Sequence, residues 1–139
     1  MRVILDTNVV VSALLWGGAP YRLVQAAVAG DIELFTSPML VTELGEILAR
    51  KHLRAKLAEH HTSAAELTAL YGDLARPVSP LATPRVVPYD PDDDHVVACA
   101  LAASAEAIIS GDRHLLRLAQ YKGIRIFTVA QAVQIIGPA

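Results

Sequence analysis

The sequence predicts an α/β fold, a three-layer α/β/α sandwich on a small parallel sheet. Short β-branched and apolar runs recur at Val3–Leu5, Ile32–Thr36, Ala107–Ser110 and Ile124–Phe127. Stretches with helical spacing separate them, and such alternation means a parallel sheet covered on both faces. Hydrophobic residues make up 53 % of the 139 and charged residues 19 %. That balance excludes disorder and supports a core without staples. The length fits one domain spanning residues 1–139.

Val3-Ile4-Leu5 reads as a first strand, buried on both faces because it does not alternate, and it stops at Asp6. An apolar stretch runs from Thr7 to Trp16 and breaks at Gly17-Gly18. Pro20 opens a helix to about Ala29, closed by Gly30. Ile32–Thr36 reads as the second strand. Ser37-Pro38 pairs a capping residue with a first-turn proline, and Leu40, Leu44, Ile47 and Leu48 then follow at helical spacing, with Glu43 in the first two turns. A basic stretch closes that helix and forms a short second one. Ser63 with Glu66 is a capping box opening a helix to about Ala75. Prolines 77, 80, 84, 88 and 91 punctuate an extended connection, inside which Arg85–Val87 reads as a short strand. Asp92, Asp93 and Asp94 start a helix to about Ala103, where negative charge suits the helix dipole. Ala107–Ser110 is a buried strand followed by Gly111-Asp112. Arg113–Ala119 is a short helix and Ile124–Phe127 the last strand. Thr128 caps a final helix ending at Gly137-Pro138.

Aromatic residues are only 5 %, so Ala, Leu, Val and Ile build the core. A net charge of −2 argues against a strongly cationic nucleic-acid binder, though not against a local basic face. The single cysteine, Cys99, forbids an intramolecular disulfide and points to a reducing compartment. Asp6 interrupts any signal-like run and no stretch reaches the ~20 apolar residues of a membrane span. The expected location is the cytoplasm, with no membrane partner.

Asp6 closes the first strand, and Asp112 stands just past the Ala107–Ser110 strand. Ligands of open parallel sheets bind outside those strand ends. Glu43 opens toward the same edge, as does Asp94 if the extended connection crosses it. Two charges 4 Å apart repel by about 4 kcal/mol at an effective dielectric of ~20, so converging acids hold either protons or a cation. Oxygen ligands suit Mg²⁺ or Mn²⁺, and no cysteine or histidine arrangement suits zinc. Such an ion lowers the pKa of a bound water and neutralises charge at phosphorus, which is metal-assisted phosphodiester hydrolysis. Taken singly, each acid also has a structural reading: Asp6 as a turn starter, Glu43 as a solvated helix residue, Asp112 as an N-cap. One or two of Asp92, Asp93 and Asp94 belong to the helix dipole, and Asp94 is the favoured ligand. The basic stretch Arg50, Lys51, Arg54 and Lys56 is either a solvated face or a set of nucleic-acid phosphate contacts. Arg113, Arg117 and Lys122 are further candidates.

Asp6-Thr7-Asn8, Glu43, the aspartates 92–94 before an Ala-rich helix, and Ser110-Gly111-Asp112 together resemble a PIN domain over essentially the whole chain. The resemblance is closest to VapC-like toxin ribonucleases of toxin–antitoxin pairs. It implies a Mg²⁺- or Mn²⁺-dependent endoribonuclease. Asp6, Glu43, Asp94 and Asp112 match the family's acidic quartet, catalytic and metal-binding alike, and Asn8 and Ser110 its supporting polar residues. It further implies an RNA substrate, a homodimer and a cognate antitoxin protein. His95 and His114 depart from the family's pattern, and His114 stands where a further aspartate is often found, which leaves the number of metals open.

Two enzymatic rivals fit less well. A haloacid-dehalogenase-type phosphatase needs an acid at position 8, which is Asn8. A receiver domain needs an aspartate at the third strand's end and a late lysine, and neither is evident. The rival from another class is a non-catalytic PIN-like module that binds RNA or protein.

Overall fold

The computed structural model describes residues 1–86 and 90–137. In chain order the elements are β1 (Arg2–Leu5), α1 (Thr7–Leu15), α2 (Gly18–Ala29), β2 (Glu33–Thr36), α3 (Pro38–Leu48), a 3₁₀ turn (Lys51–Leu53), α4 (Arg54–Glu59) and α5 (Ala64–Leu74). Then follow β3 (Arg76–Pro77), α6 (Pro91–Ala102), β4 (Ala107–Ile109), α7 (Arg113–Leu118), β5 (Gln120–Tyr121), β6 (Ile124–Phe127) and α8 (Val129–Ile136).

The strands form one sheet in the order β3-β2-β1-β4-β6-β5. All pairings are parallel except β5 with β6. The chain builds outward from β1 through β2 to β3, then returns to the other side of β1 to lay down β4. The order therefore reverses between β1 and β4, and that switch point opens a crevice at the strands' C-terminal ends.

Strands β1, β2 and β4 feed two cores. Val3, Leu5, Leu34 and Ile109 face one side, packed by α1, α2, α3, α5 and α8 through Val10, Leu15, Leu23, Leu48, Tyr71 and Ala132. Ile4, Phe35, Ile108 and Ile126 face the other, packed by α6 and α7 through Val97, Cys99 and Leu115. This is the expected three-layer sandwich. The helix starts also follow the capping logic. Ser37 Oγ accepts from Leu40 N–H at 3.3 Å ahead of Pro38. Thr128 and Gln131 form a complete capping box. At Ser63 only half the box closes: Ser63 Oγ accepts from Glu66 N–H, while Thr62 Oγ1 donates to the Glu66 carboxylate at 3.2 Å.

Three expectations are corrected. Arg85 and Val86 are not in a strand, and Val87 lies outside the described residues, as does the Pro138 helix end. The third strand is instead Arg76–Pro77, at the sheet edge, where proline's missing N–H costs no ladder bond. The sheet also ends in an antiparallel hairpin. Lys122 and Gly123 both take positive φ, 47° and 84°, which a two-residue turn between paired strands requires and which Gly123 supplies without strain. The helix placed at Pro20 starts earlier, at Gly18, with Gly17 as its cap.

Candidate metal centre

Three helix N-termini meet at the switch point. Asp6, Asp90 and Asp112 stand at the N-caps of α1, α6 and α7. Their positive dipole ends partly offset the carboxylates gathered there. The resulting pocket has a volume of about 250 Å³. Among the described residues its lining includes Asp6, Glu43, Glu46, Asp90, Asp92, Asp93 and Asp112, against the cationic Arg50 and the imidazole of His95.

Asp6 is buried, and its backbone N–H donates to Ile109 across the switch point at 2.9 Å. Ser110, fully buried, donates its hydroxyl to Asp6 Oδ2 at 2.6 Å and accepts from Asp112 N–H at 2.9 Å. One side chain thus ties the ends of β1 and β4 together. Asp112 Oδ1 accepts from the N–H groups of His114 and Leu115, capping α7. Ser110→Ala removes both bonds and leaves a buried carboxylate short of a donor. It is expected to cost roughly 2 kcal/mol in urea unfolding at neutral pH.

One carboxylate oxygen from each of Asp90, Asp93 and Asp112 lies within 4.8 Å of the others. Asp93 is 4 % exposed, and among the described residues its Oδ2 has no hydrogen-bond partner. Burial pushes the Asp93 carboxyl up to about 8, with Asp112, Asp90 and Asp6 adding to the rise. Burial also raises Asp6, as do Asp112 and Asp90, while the bonds from Ser110 and the Thr7 N–H oppose them. Glu43 rises by burial against a hydrogen bond from the Thr7 side chain. A crowded set of oxygen donors with an orphaned buried oxygen fits a hard divalent cation.

Asp6, Glu43 and Asp112 come together in the pocket, and Asn8 also lines it. Asp94 stands elsewhere than expected: its Oδ1 accepts from Val86 N–H at 2.9 Å, tying down the chain before α6. Successive helical residues point about 100° apart, so Asp93 and Asp94 cannot share one direction. Asp90 and Asp93, three apart, share a face. Of the basic stretch, Arg50 lines the pocket. Lys51 and Arg54 are exposed. Lys56 pairs with Glu59 at 3.3 Å and lies 5.5 Å from the Trp16 ring. Asp90 and Glu46 carry no assignment in the sequence, and Thr7 figures there only within the Asp6-Thr7-Asn8 motif. The i, i+3 spacing of Asp90 and Asp93 was the one signal for the first.

The chain matches the PIN domain family over residues 2–114. The crystal structure of VapBC2 from Rickettsia felis, bound to a DNA fragment from their promoter, has a similar fold. The likeness has a TM-score of 0.64 at 13 % identity and covers 92 % of this chain and 98 % of that one. No curated protein matches the chain. No helix among the described residues is long and apolar enough to cross a membrane.

Proposed function

Because the chain belongs to the PIN domain family, a family of nucleases, we propose that it is a metal-dependent endoribonuclease. The observation that carries this reading is the cluster of Asp90, Asp93 and Asp112 beside Asp6, with a buried, unpartnered oxygen on Asp93. These four acids would hold Mg²⁺ or Mn²⁺. When bound, that ion supplies Lewis-acid stabilisation of a phosphoryl oxygen and a more acidic water. Ser110 holds Asp6 in one orientation, and the α7 N–H groups hold Asp112. Glu43 lies across the pocket with its pKa raised. That suits it to take a proton from the attacking water on its carboxylate. Arg50 binds a flanking phosphate. Asp94 keeps the α6 entry in place, and Asn8 contacts the substrate from the pocket wall.

The fold likeness to VapBC2 supports a toxin role with a cognate antitoxin. Exposed Tyr21 and Val28 on α2 and Ile135 on the adjoining α8 offer an apolar face for a homodimer. We infer a cytoplasmic location for this activity. Incubating wild-type protein with a mixed RNA pool in Mg²⁺ or Mn²⁺, and separately in EDTA, tests the reading. Internal cuts that depend on the metal support it. RNA left intact under every condition removes it and favours a binding module.

A further inference from the structure

We propose that the groove beside the acidic pocket is a subsite for one unpaired RNA base next to the cut. The proposal deepens the nuclease reading and rests on it. The groove has a volume of about 190 Å³, and Pro38, Met39, Pro80, Thr83, His95 and Ala98 contribute to its walls. Met39 and His95 also line the acidic pocket, so the two cavities adjoin at these side chains. A strand leaving the acids meets this groove next.

The lining decides which part of the strand enters. No lysine or arginine faces the groove among the described residues, and the neighbouring acids repel a phosphate. A flat, uncharged heteroaromatic ring fits instead, between the Met39 thioether, two prolines and the His95 imidazole. Met39 is 53 % exposed, a large apolar side chain standing free beside a ring of carboxylates. The walls are pre-organised. Pro38 begins α3, Ser37 caps it, and Ala98 is a 2 % exposed residue of α6. Arg50, which follows the C-terminal end of α3, also lines the acidic pocket, whereas Met39 stands in the first turn of that helix. A phosphate contact and a base contact therefore flank the acids. A base can enter the groove only when it is unpaired, so the subsite selects single-stranded RNA.

Met39 supplies its own probe, because Met1 is the only other methionine. Asp6→Asn protein carrying methyl-¹³C methionine is titrated with oligoadenylate in Mg²⁺, and with the same strand lacking its bases. The Met39 methyl resonance is expected to move upfield with the complete strand alone, while Met1 stays still. Ser79→Trp, at an exposed groove position, fills the space. It is expected to abolish the shift and raise the KM for RNA roughly tenfold with kcat little changed. No Met39 shift, or an equal shift from the stripped strand, overturns the subsite. Wild-type cleavage measured in parallel separates the two readings. Cleavage without a Met39 shift removes the subsite and keeps the nuclease. A shift without cleavage removes the nuclease, and with it the subsite's place next to a cut, and leaves only base binding in the groove.

Discussion

Asp6→Asn is expected to lower RNA cleavage roughly a thousandfold while the protein stays folded. The substitution keeps the shape of the side chain and an oxygen that accepts from Ser110. It removes one negative charge from the place where β1 and β4 end together. The metal loses a ligand charge, while the metal-free protein loses a source of repulsion. The two effects therefore move in opposite directions. Activity collapses, and the melting temperature in EDTA holds or rises. Initial rates and thermal melts on one preparation check both. Activity within threefold of wild type would take Asp6 out of the chemistry.

The metal-free protein is expected to lose stability as pH rises, by on the order of 3 kcal/mol between pH 5 and 8.5. Asp93 carries the largest share. Its carboxyl titrates near 8 in the folded chain against 3.8 as the reference value. Between those limits the folded state keeps a proton that the unfolded state has released. Folding then takes up a proton, so stability falls with rising pH through that window. It is fully present below the lower value and fully lost above the upper one. Asp6 and Glu43, both raised by burial, push in the same direction. Millimolar Mg²⁺ or Mn²⁺ flattens the profile by taking the proton's place. Asp93→Asn flattens it without metal. Urea unfolding at several pH values in EDTA reads the slope directly, and a flat wild-type profile would contradict the account.

The sandwich and its switch point were legible because apolar strands ended abruptly at informative residues. Val3-Ile4-Leu5 stops at Asp6, and Ile108-Ile109-Ser110 leads into Gly111-Asp112. A strand that ends in an acid declares both its boundary and its chemistry. The choice among Asp92, Asp93 and Asp94 was not legible in the same way. All three sit in one helical turn, and only the phase of α6 against the sheet decides which of them faces Asp112. That phase comes from tertiary packing of Val96, Val97 and Ala100, which no local pattern encodes. Asp90 was hidden among prolines, where its cap on α6 could not be told from a loop acid. The two-residue strands β3 and β5 are shorter than any periodicity can register. Thr7, read as part of a motif, is tied to Glu43 through a contact between α1 and α3 that only the fold creates.

We propose that the acids at the switch point hold a divalent cation, with Asp93 as a ligand and Asp94 as a brace. Calorimetric titration of Mn²⁺ into wild type, Asp93→Asn and Asp94→Asn tests it most directly. Wild type is expected to bind saturably, with affinity weakened at least roughly tenfold in Asp93→Asn and nearly retained in Asp94→Asn. No binding by wild type, or a loss confined to Asp94→Asn, would contradict it.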